Sequence, residues 1–82
     1  MALDWHVSAD PMTHVRDGDL HVRAGATQAA IASYERAARG FEQRRQLLKA
    51  HAMYRQILKL DPDSASAKRR AEELIIAIRQ PP

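Results

Sequence analysis

The chain has 82 residues and no cysteine, which excludes a disulfide framework and a thiolate metal site. This length suits one small domain with limited burial. Abundant alanine favours close-packed helices over sheet. No long apolar run follows the N-terminus, and the longest run, residues 74–78, is too short to span a bilayer. We therefore expect a cytoplasmic protein with no membrane contact.

The formal net charge of +3 is unevenly distributed along the chain. Residues 1–35 hold two basic and five acidic side chains, whereas residues 36–82 hold eleven basic and five acidic side chains. A basic half is compatible with nucleic acid, an acidic protein or a membrane surface as partner. No aromatic residues interleave with the basic ones, as a single-strand binder would need, so a solvated helix face is the favoured interpretation.

The beginning of the chain predicts a tail followed by a helix. Residues 1–10 show no clear period and are expected to form an N-terminal tail, in which Trp5 either docks onto the domain or stays mobile. Asp10 and Pro11 then form a helix-start signal, since Asp caps helices and Pro suits their first position. This helix should reach about Ala24, with Gly25 as a left-handed stop.

A hairpin competes with this first helix. Residues 14–22 alternate between polar and apolar around Asp17-Gly18, which is a hairpin signal. An isolated two-stranded hairpin is marginal in water, and the sequence shows no third strand. The helix is favoured on that ground.

Three further helices are predicted near residues 27–44, 47–60 and 64–79. Each has apolar residues at steps of three and four, which places them on one helical face. Pro62 ends the third helix, and Asp63 or Ser64 is suited to cap the fourth. The expected core residues are Ala30, Tyr34, Ala37, Phe41, Leu47, Ala50, Tyr54, Ile57, Ala67, Ala71, Leu74, Ile75 and Ile78.

A family resemblance rests on residues spaced between Ile31 and Ser64. The matching positions are Tyr34, Ala38, Phe41, Leu47, Ala50, Tyr54 and Pro62. In this spacing the chain resembles the tetratricopeptide repeat, a helix–turn–helix unit of about 34 residues. Arg45 departs from the family pattern, which often has Gly in that turn.

A second, weaker match overlaps the first and lies 20 residues upstream. It consists of Gly18, Gly25, Ala30, Tyr34 and Ala37. The helix at 27–44 would then serve as the second helix of one unit and the first of the next. The resemblance implies an all-α fold, a short array of about four antiparallel helices that occupies residues 11–80.

The first helix departs most from the family. Its core-facing positions hold His14, Asp17, Gly18 and His21, which are poor core residues, while Met12, Val15 and Val22 lie on the adjacent face. Three alternatives remain open at this point. The helix is rotated, its apolar stripe meets another chain in a homo-oligomer, or it is not a repeat helix.

The sequence contains no constellation that supports catalysis or a cofactor. There is no glycine-rich phosphate loop and no acid–base carboxylate pair on an apolar background. His14, Asp17 and His21 would share one helical face, but a fourth metal ligand is not evident, so polar residues on a solvated helix are favoured.

The expected function is therefore non-catalytic binding of a protein or peptide segment. By the resemblance, ligands lie in a groove formed by the first helix of each unit. The implied contacts are Met12, Val15, Asp19, Val22, Arg23, Glu35, Arg39, Glu42, Gln43, Arg69 and Glu73. The alternative is a structural element that self-assembles or caps a larger array, because repeat arrays usually need about three units for stability. Nucleic acid is the least favoured partner.

Overall fold

The computed structural model describes residues 10–80 as four α-helices. They are α1 (Pro11–Arg23), α2 (Thr27–Gln43), α3 (Leu47–Leu60) and α4 (Ala65–Arg79). The described residues contain no strand, so the predicted all-α fold is confirmed and the hairpin at residues 14–22 does not form. The expectations for Trp5 and for residues 1–9 of the tail lie outside the described residues.

Side-chain caps begin α1 and α4. The Asp10 carboxylate accepts a hydrogen bond from the backbone N–H of Met12 at 3.0 Å, and Pro11 occupies the first helical turn. The Ser64 hydroxyl accepts from the backbone N–H of Ala67 at 3.2 Å. Both caps satisfy N–H groups that a helix start leaves without a partner. Of the two predicted caps for α4, Ser64 is therefore the one used.

The turns after α1 and α2 have the same backbone geometry. Gly25 has φ +76° and Arg45 has φ +60°, so both residues adopt the left-handed conformation. In each turn the next N–H bonds back to a carbonyl five residues earlier, Ala26 to His21 at 2.8 Å and Gln46 to Phe41 at 2.9 Å. These are Schellman-type helix ends. Arg45 adopts, at a cost of about 1 kcal/mol, the conformation that Gly25 adopts without strain.

Each helix comes close, backbone to backbone, only to its neighbours in sequence. Close backbone approaches join α1 to α2, α2 to α3 and α3 to α4, and no others occur among residues 10–80. The resulting body measures 38 × 36 × 16 Å. Repeat arrays are built in the same way, since each of their units contacts only the units next to it. Among the described residues, no helix lies against the other side of α1 or the other side of α4.

The core is centred on α2 and combines small residues with a few large ones. Ala30, Ala37, Ala38 and Ala50 are fully buried, which lets the helix axes approach closely. The large side chains between them are Tyr34, Phe41, Tyr54 and Ile57, and α4 adds Ala67, Ala71 and Leu74. Leu47, at the start of α3, is half-buried and packs against this core. Ile75 and Ile78 were also expected in the core but are only half-buried.

Two glycines let α1 lie close against α2. A Cβ atom on Gly18 would stand 2.6 Å from Cε1 of Tyr34, and one on Gly40 would stand 2.8 Å from Cγ of Pro11. Gly18 is buried, so the expectation that it is a poor core residue was wrong. Its contribution is the absence of a side chain, which gives the Tyr34 ring room against the α1 backbone.

The structure bears on one of the three alternatives for α1, the rotated helix. Val15 packs against the core, but Met12 and Val22 are 39% and 42% exposed. The helix is therefore not rotated to bury the whole Met12–Val15–Val22 face. It contacts α2 through Pro11 and Gly18 instead.

Gly18→Ala should destabilise the domain by about 1–3 kcal/mol, because the new methyl group overlaps the buried Tyr34 ring. In an ordinary exposed helix the same change would stabilise by up to about 1 kcal/mol. Thermal and urea unfolding followed by circular dichroism would measure the sign. The exposed neighbour variant Asp17→Ala is the control and should be neutral or slightly stabilising. A stabilised Gly18→Ala protein would contradict the close contact.

Ala50→Leu should also destabilise the domain by about 1–3 kcal/mol, because Ala50 is fully buried where helices cross and has no room for a larger side chain. Ala52→Leu makes the same change at an exposed position of the same helix and should alter stability by less than about 0.5 kcal/mol. Equal melting temperatures for the two variants would show that the α3 packing is wrong.

Candidate functional site

A cleft opens between α1 and α3 near the carboxyl ends of both helices. It has a volume of about 410 Å³ and is lined by Asp19, Val22, Arg23, Tyr34, Gln56, Lys59 and Leu60. We call this the α1–α3 cleft. Because α1 and α3 have no direct backbone contact, only side chains of α2, chiefly Tyr34, lie beneath the gap between them. Three of the residues predicted to bind a partner, Asp19, Val22 and Arg23, line this cleft.

A hydrogen bond between α2 and α1 fixes one wall of the α1–α3 cleft. The Tyr34 hydroxyl donates to Oδ1 of Asp19 at 2.5 Å. Burial of the phenol, together with this bond to a carboxylate, raises the pKa of Tyr34 to about 12. The hydroxyl therefore stays protonated at neutral pH and holds the Asp19 carboxylate in place.

The remaining lining combines aliphatic surface with two cations. Val22 is partly exposed and Leu60 is half-buried, so both offer apolar contact area. Arg23 and Lys59 are exposed, and neither forms an ion pair within residues 10–80. The cleft thus presents apolar surface beside the Asp19 carboxylate and two cations that form no ion pair within residues 10–80.

A second polar cluster joins α2, α3 and α4. The Tyr54 hydroxyl donates to Oε2 of Glu42 at 2.8 Å. Arg70 binds Glu42 through one guanidinium nitrogen and Glu73 through another. The bond to Glu73 is the largest cause that raises the pKa of Arg70, and burial followed by the bond to Glu42 raises the pKa of Tyr54. Glu42 and Glu73 were predicted to bind a partner, but here both carboxylates bind within the chain.

The other predicted contacts are spread over the surface. Val15 packs against the core, whereas Met12 lies at the far end of α1 from the cleft. Five predicted contact residues have side chains that make no hydrogen bond or ion pair within residues 10–80. They are Met12, Glu35, Arg39, Gln43 and Arg69. The structure therefore does not gather the eleven predicted residues into one groove.

Sequence reasoning missed the α3 wall of the cleft and the role of Arg70. The apolar period of α3 alone places Gln56 and Lys59 on its polar side and Leu60 on its apolar side. One signal was available in the sequence. Tyr54 follows Tyr34 by 20 residues, as Arg45 follows Gly25, so the two tyrosines should occupy equivalent positions on successive helices. The period does not identify their acceptors, because Asp19 precedes Tyr34 by 15 residues and Glu42 precedes Tyr54 by 12.

Two negative findings concern metals and membranes. Within residues 10–80, no three His, Cys, Asp or Glu side chains are close enough to hold a metal ion, and the suggested set of His14, Asp17 and His21 does not form one. Nδ1 of His14 is buried and has no hydrogen-bond partner in this part of the chain. None of the four described helices has the length and apolar character needed to cross a membrane.

Comparison with known proteins gave no match to a protein-family model, to a curated protein or to a solved structure. The resemblance to the tetratricopeptide repeat therefore stays a prediction that rests on residue spacing.

Both tyrosines should ionise at higher pH than the usual value of about 10. For Tyr34, whose pKa in the folded state is about 12, the stabilising contribution is complete below pH 10 and is lost as the pH rises towards 12. The near-ultraviolet absorbance of phenolate, recorded during an alkaline titration, measures this directly. Asp19→Asn should lower the pKa of Tyr34 only partway, because burial is the larger cause. Full ionisation of both tyrosines near pH 10 in a folded chain would contradict the two hydrogen bonds.

Proposed function

We propose that this chain is a non-catalytic protein-interaction module that binds a segment of another protein in the α1–α3 cleft. The observation that carries the proposal is the cleft itself. It is an open groove between two helices without close backbone approach, and its lining includes apolar side chains and two cations that form no ion pair within residues 10–80. Binding sites are typically concave, mostly apolar and equipped with a few placed polar groups.

The chemistry of the cleft indicates the kind of segment it accepts. Val22 and Leu60 suit aliphatic side chains, and burying one such side chain contributes about 1.5–3 kcal/mol before the costs of association. Arg23 and Lys59 suit a carboxylate beside the aliphatic stripe. The ligand we propose is an amphipathic segment with aliphatic residues on one side and acidic residues at its edge.

The resemblance to the tetratricopeptide repeat supports a binding role independently of the cleft, since that family recognises protein segments in helix-lined grooves. The resemblance assigns six of its eleven implied contacts to α2 and α4. Two of these six, Glu42 and Glu73, form ion pairs with Arg70. We therefore place the binding surface on α1 and α3.

A structural self-assembly role is the second candidate. Leu48 and Ile76 are 70% and 60% exposed although both are large and apolar. Large exposed apolar surface commonly marks an interface. Both residues lie in a different part of the molecule from the α1–α3 cleft.

The binding proposal is tested by selecting peptides from a random display library with the parent chain and measuring the affinity of synthetic versions by fluorescence polarisation. Selected peptides should be rich in aliphatic and acidic residues. Val22→Asp and Lys59→Glu should each weaken binding about tenfold or more, because they place a negative charge where the peptide carries apolar or acidic groups.

Matched controls are available on the same helices. Met12 is about as exposed as Val22 but lies at the other end of α1, and Arg55 is an exposed cation of α3 outside the cleft lining. Met12→Asp and Arg55→Glu should therefore leave the affinity unchanged. All four variants should melt close to the parent. Peptides whose binding is insensitive to both cleft variants would refute the site.

A further inference from the structure

Two hollows with mainly apolar lining lie on the surface of α3 and α4. A hollow of about 360 Å³ is lined by His51, Ala71, Glu72, Ile75 and Ile76. A neighbouring one of about 470 Å³ is lined by Arg45, Gln46, Leu47, Leu48, Lys49, Ala77 and Ile78. We call the two together the α3–α4 face. Leu48 and Ile76 are its most exposed apolar residues, and within residues 10–80 the only helix packed against α4 is α3.

The charges on α4 fall into two groups. In the first group, Arg70 forms ion pairs with Glu73 and Glu42, so these charges are paired within the chain. Neither Glu72 nor Arg79 forms an ion pair with any residue of the range 10–80. Glu72 lines the same hollow as Ile75 and Ile76, while Arg79 directly follows Ile78 of the neighbouring hollow.

The order of these residues is self-complementary. Glu72 precedes Ile75 by three residues, and Arg79 follows Ile76 by three. Steps of three and four place all four residues along one side of the helix. If two α4 helices lie antiparallel and cross at the two isoleucines, Glu72 of each stands opposite Arg79 of the other. A twofold axis therefore produces an apolar centre flanked by two ion pairs.

From this arrangement we propose that the α3–α4 face binds the same face of a second copy of the chain, with α4 antiparallel to α4. A twofold contact of this kind is the commonest form of oligomer interface, because one patch serves both partners. Leu48 lies beside the α4 contact and widens its apolar part. The proposal concerns a different surface from the α1–α3 cleft and does not depend on it.

The surface of α1 around Leu20 lacks the features that favour a contact between copies. Leu20 is as exposed as Ile76, at 60%. The shallow depression around it is lined by Arg16, Asp19 and Arg23, so Leu20 has charged neighbours in place of an apolar one. Association of two copies through Leu20 is therefore less favoured than association through α4. The alternative considered from the sequence concerned another part of α1, the Met12–Val15–Val22 face.

The test is sedimentation equilibrium of the full chain over a wide range of concentrations, with Ile76→Asp and Leu20→Asp as a matched pair. The two residues are equally exposed, so neither change should alter the melting temperature by more than a few degrees. Ile76→Asp should raise the dissociation constant of the dimer roughly 100-fold, since it places an unpaired charge at the centre of the contact. Leu20→Asp should leave it unchanged.

A charge exchange then tests the antiparallel register. Glu72→Arg and Arg79→Glu should each weaken the dimer about tenfold, because each places like charges opposite one another. The double variant restores opposite charges and should recover most of the lost affinity. Restoration of this kind is specific to the proposed pairing and is not expected from a change in folding.

Three outcomes would overturn the proposal. A parent chain that stays monomeric at the highest concentration shows that this face does not bind a second copy. A dimer that survives Ile76→Asp but dissociates with Leu20→Asp places the contact on α1. A double charge variant that is weaker than either single variant excludes the antiparallel register. Loss of peptide binding with the dimer intact would instead count only against the α1–α3 cleft.

Discussion

The contact between the Tyr34 ring and the backbone of α1 at Gly18 determines how the first half of the molecule is arranged. The ring occupies the space that a side chain would fill, so α1 and α2 approach closely. This approach brings the Tyr34 hydroxyl within 2.5 Å of Asp19, the next residue on α1. The same ring then becomes part of the lining between α1 and α3. The depth of the cleft and the position of its carboxylate therefore both depend on one residue without a side chain.

A period of 20 residues underlies both the fold and the overlapping family matches. Ala30 and Ala50 are fully buried at equivalent positions of α2 and α3, and Tyr34 and Tyr54 follow each by four residues. The turns that precede these helices contain Gly25 and Arg45 in the same left-handed conformation. The repeating element is thus one helix with its preceding turn. This explains why α2 matches the second helix of one unit and the first helix of the next, since consecutive helices carry the same pattern.

The helices could be predicted from the sequence because their determinants are local. Asp10, Pro11, Gly25, Pro62 and Ser64 act on the backbone within a few residues, and the apolar period indicates which face is buried. Most of the expected core is buried as a result, and α3 spans the predicted residues. Gly18 was misjudged because scales of residue burial measure what a side chain contributes, whereas here the missing Cβ is what the packing needs.

The candidate site was less predictable because it depends on which helices approach one another. Lys59 is a solvated residue when α3 is considered alone, and it becomes part of a cleft only because α1 lies across from it. Glu42 was expected to face a ligand, yet the approach of α4 brings Arg70 to it. Interhelix distances of this kind arise from close packing at Gly18, Ala38 and Ala50, which periodicity alone does not report.

The two proposed surfaces share no residue, and this has a consequence for binding strength. The cleft uses side chains of α1, α2 and α3, whereas contact between copies uses α4 and the beginning of α3. A dimer formed through α4 would therefore leave both clefts open and present two copies of the same groove. One cleft of about 410 Å³ offers a small contact area, for which a modest affinity is expected. Two clefts on one dimer would bind a partner with two suitable segments more tightly without any new contact, provided that the segments span the distance between them.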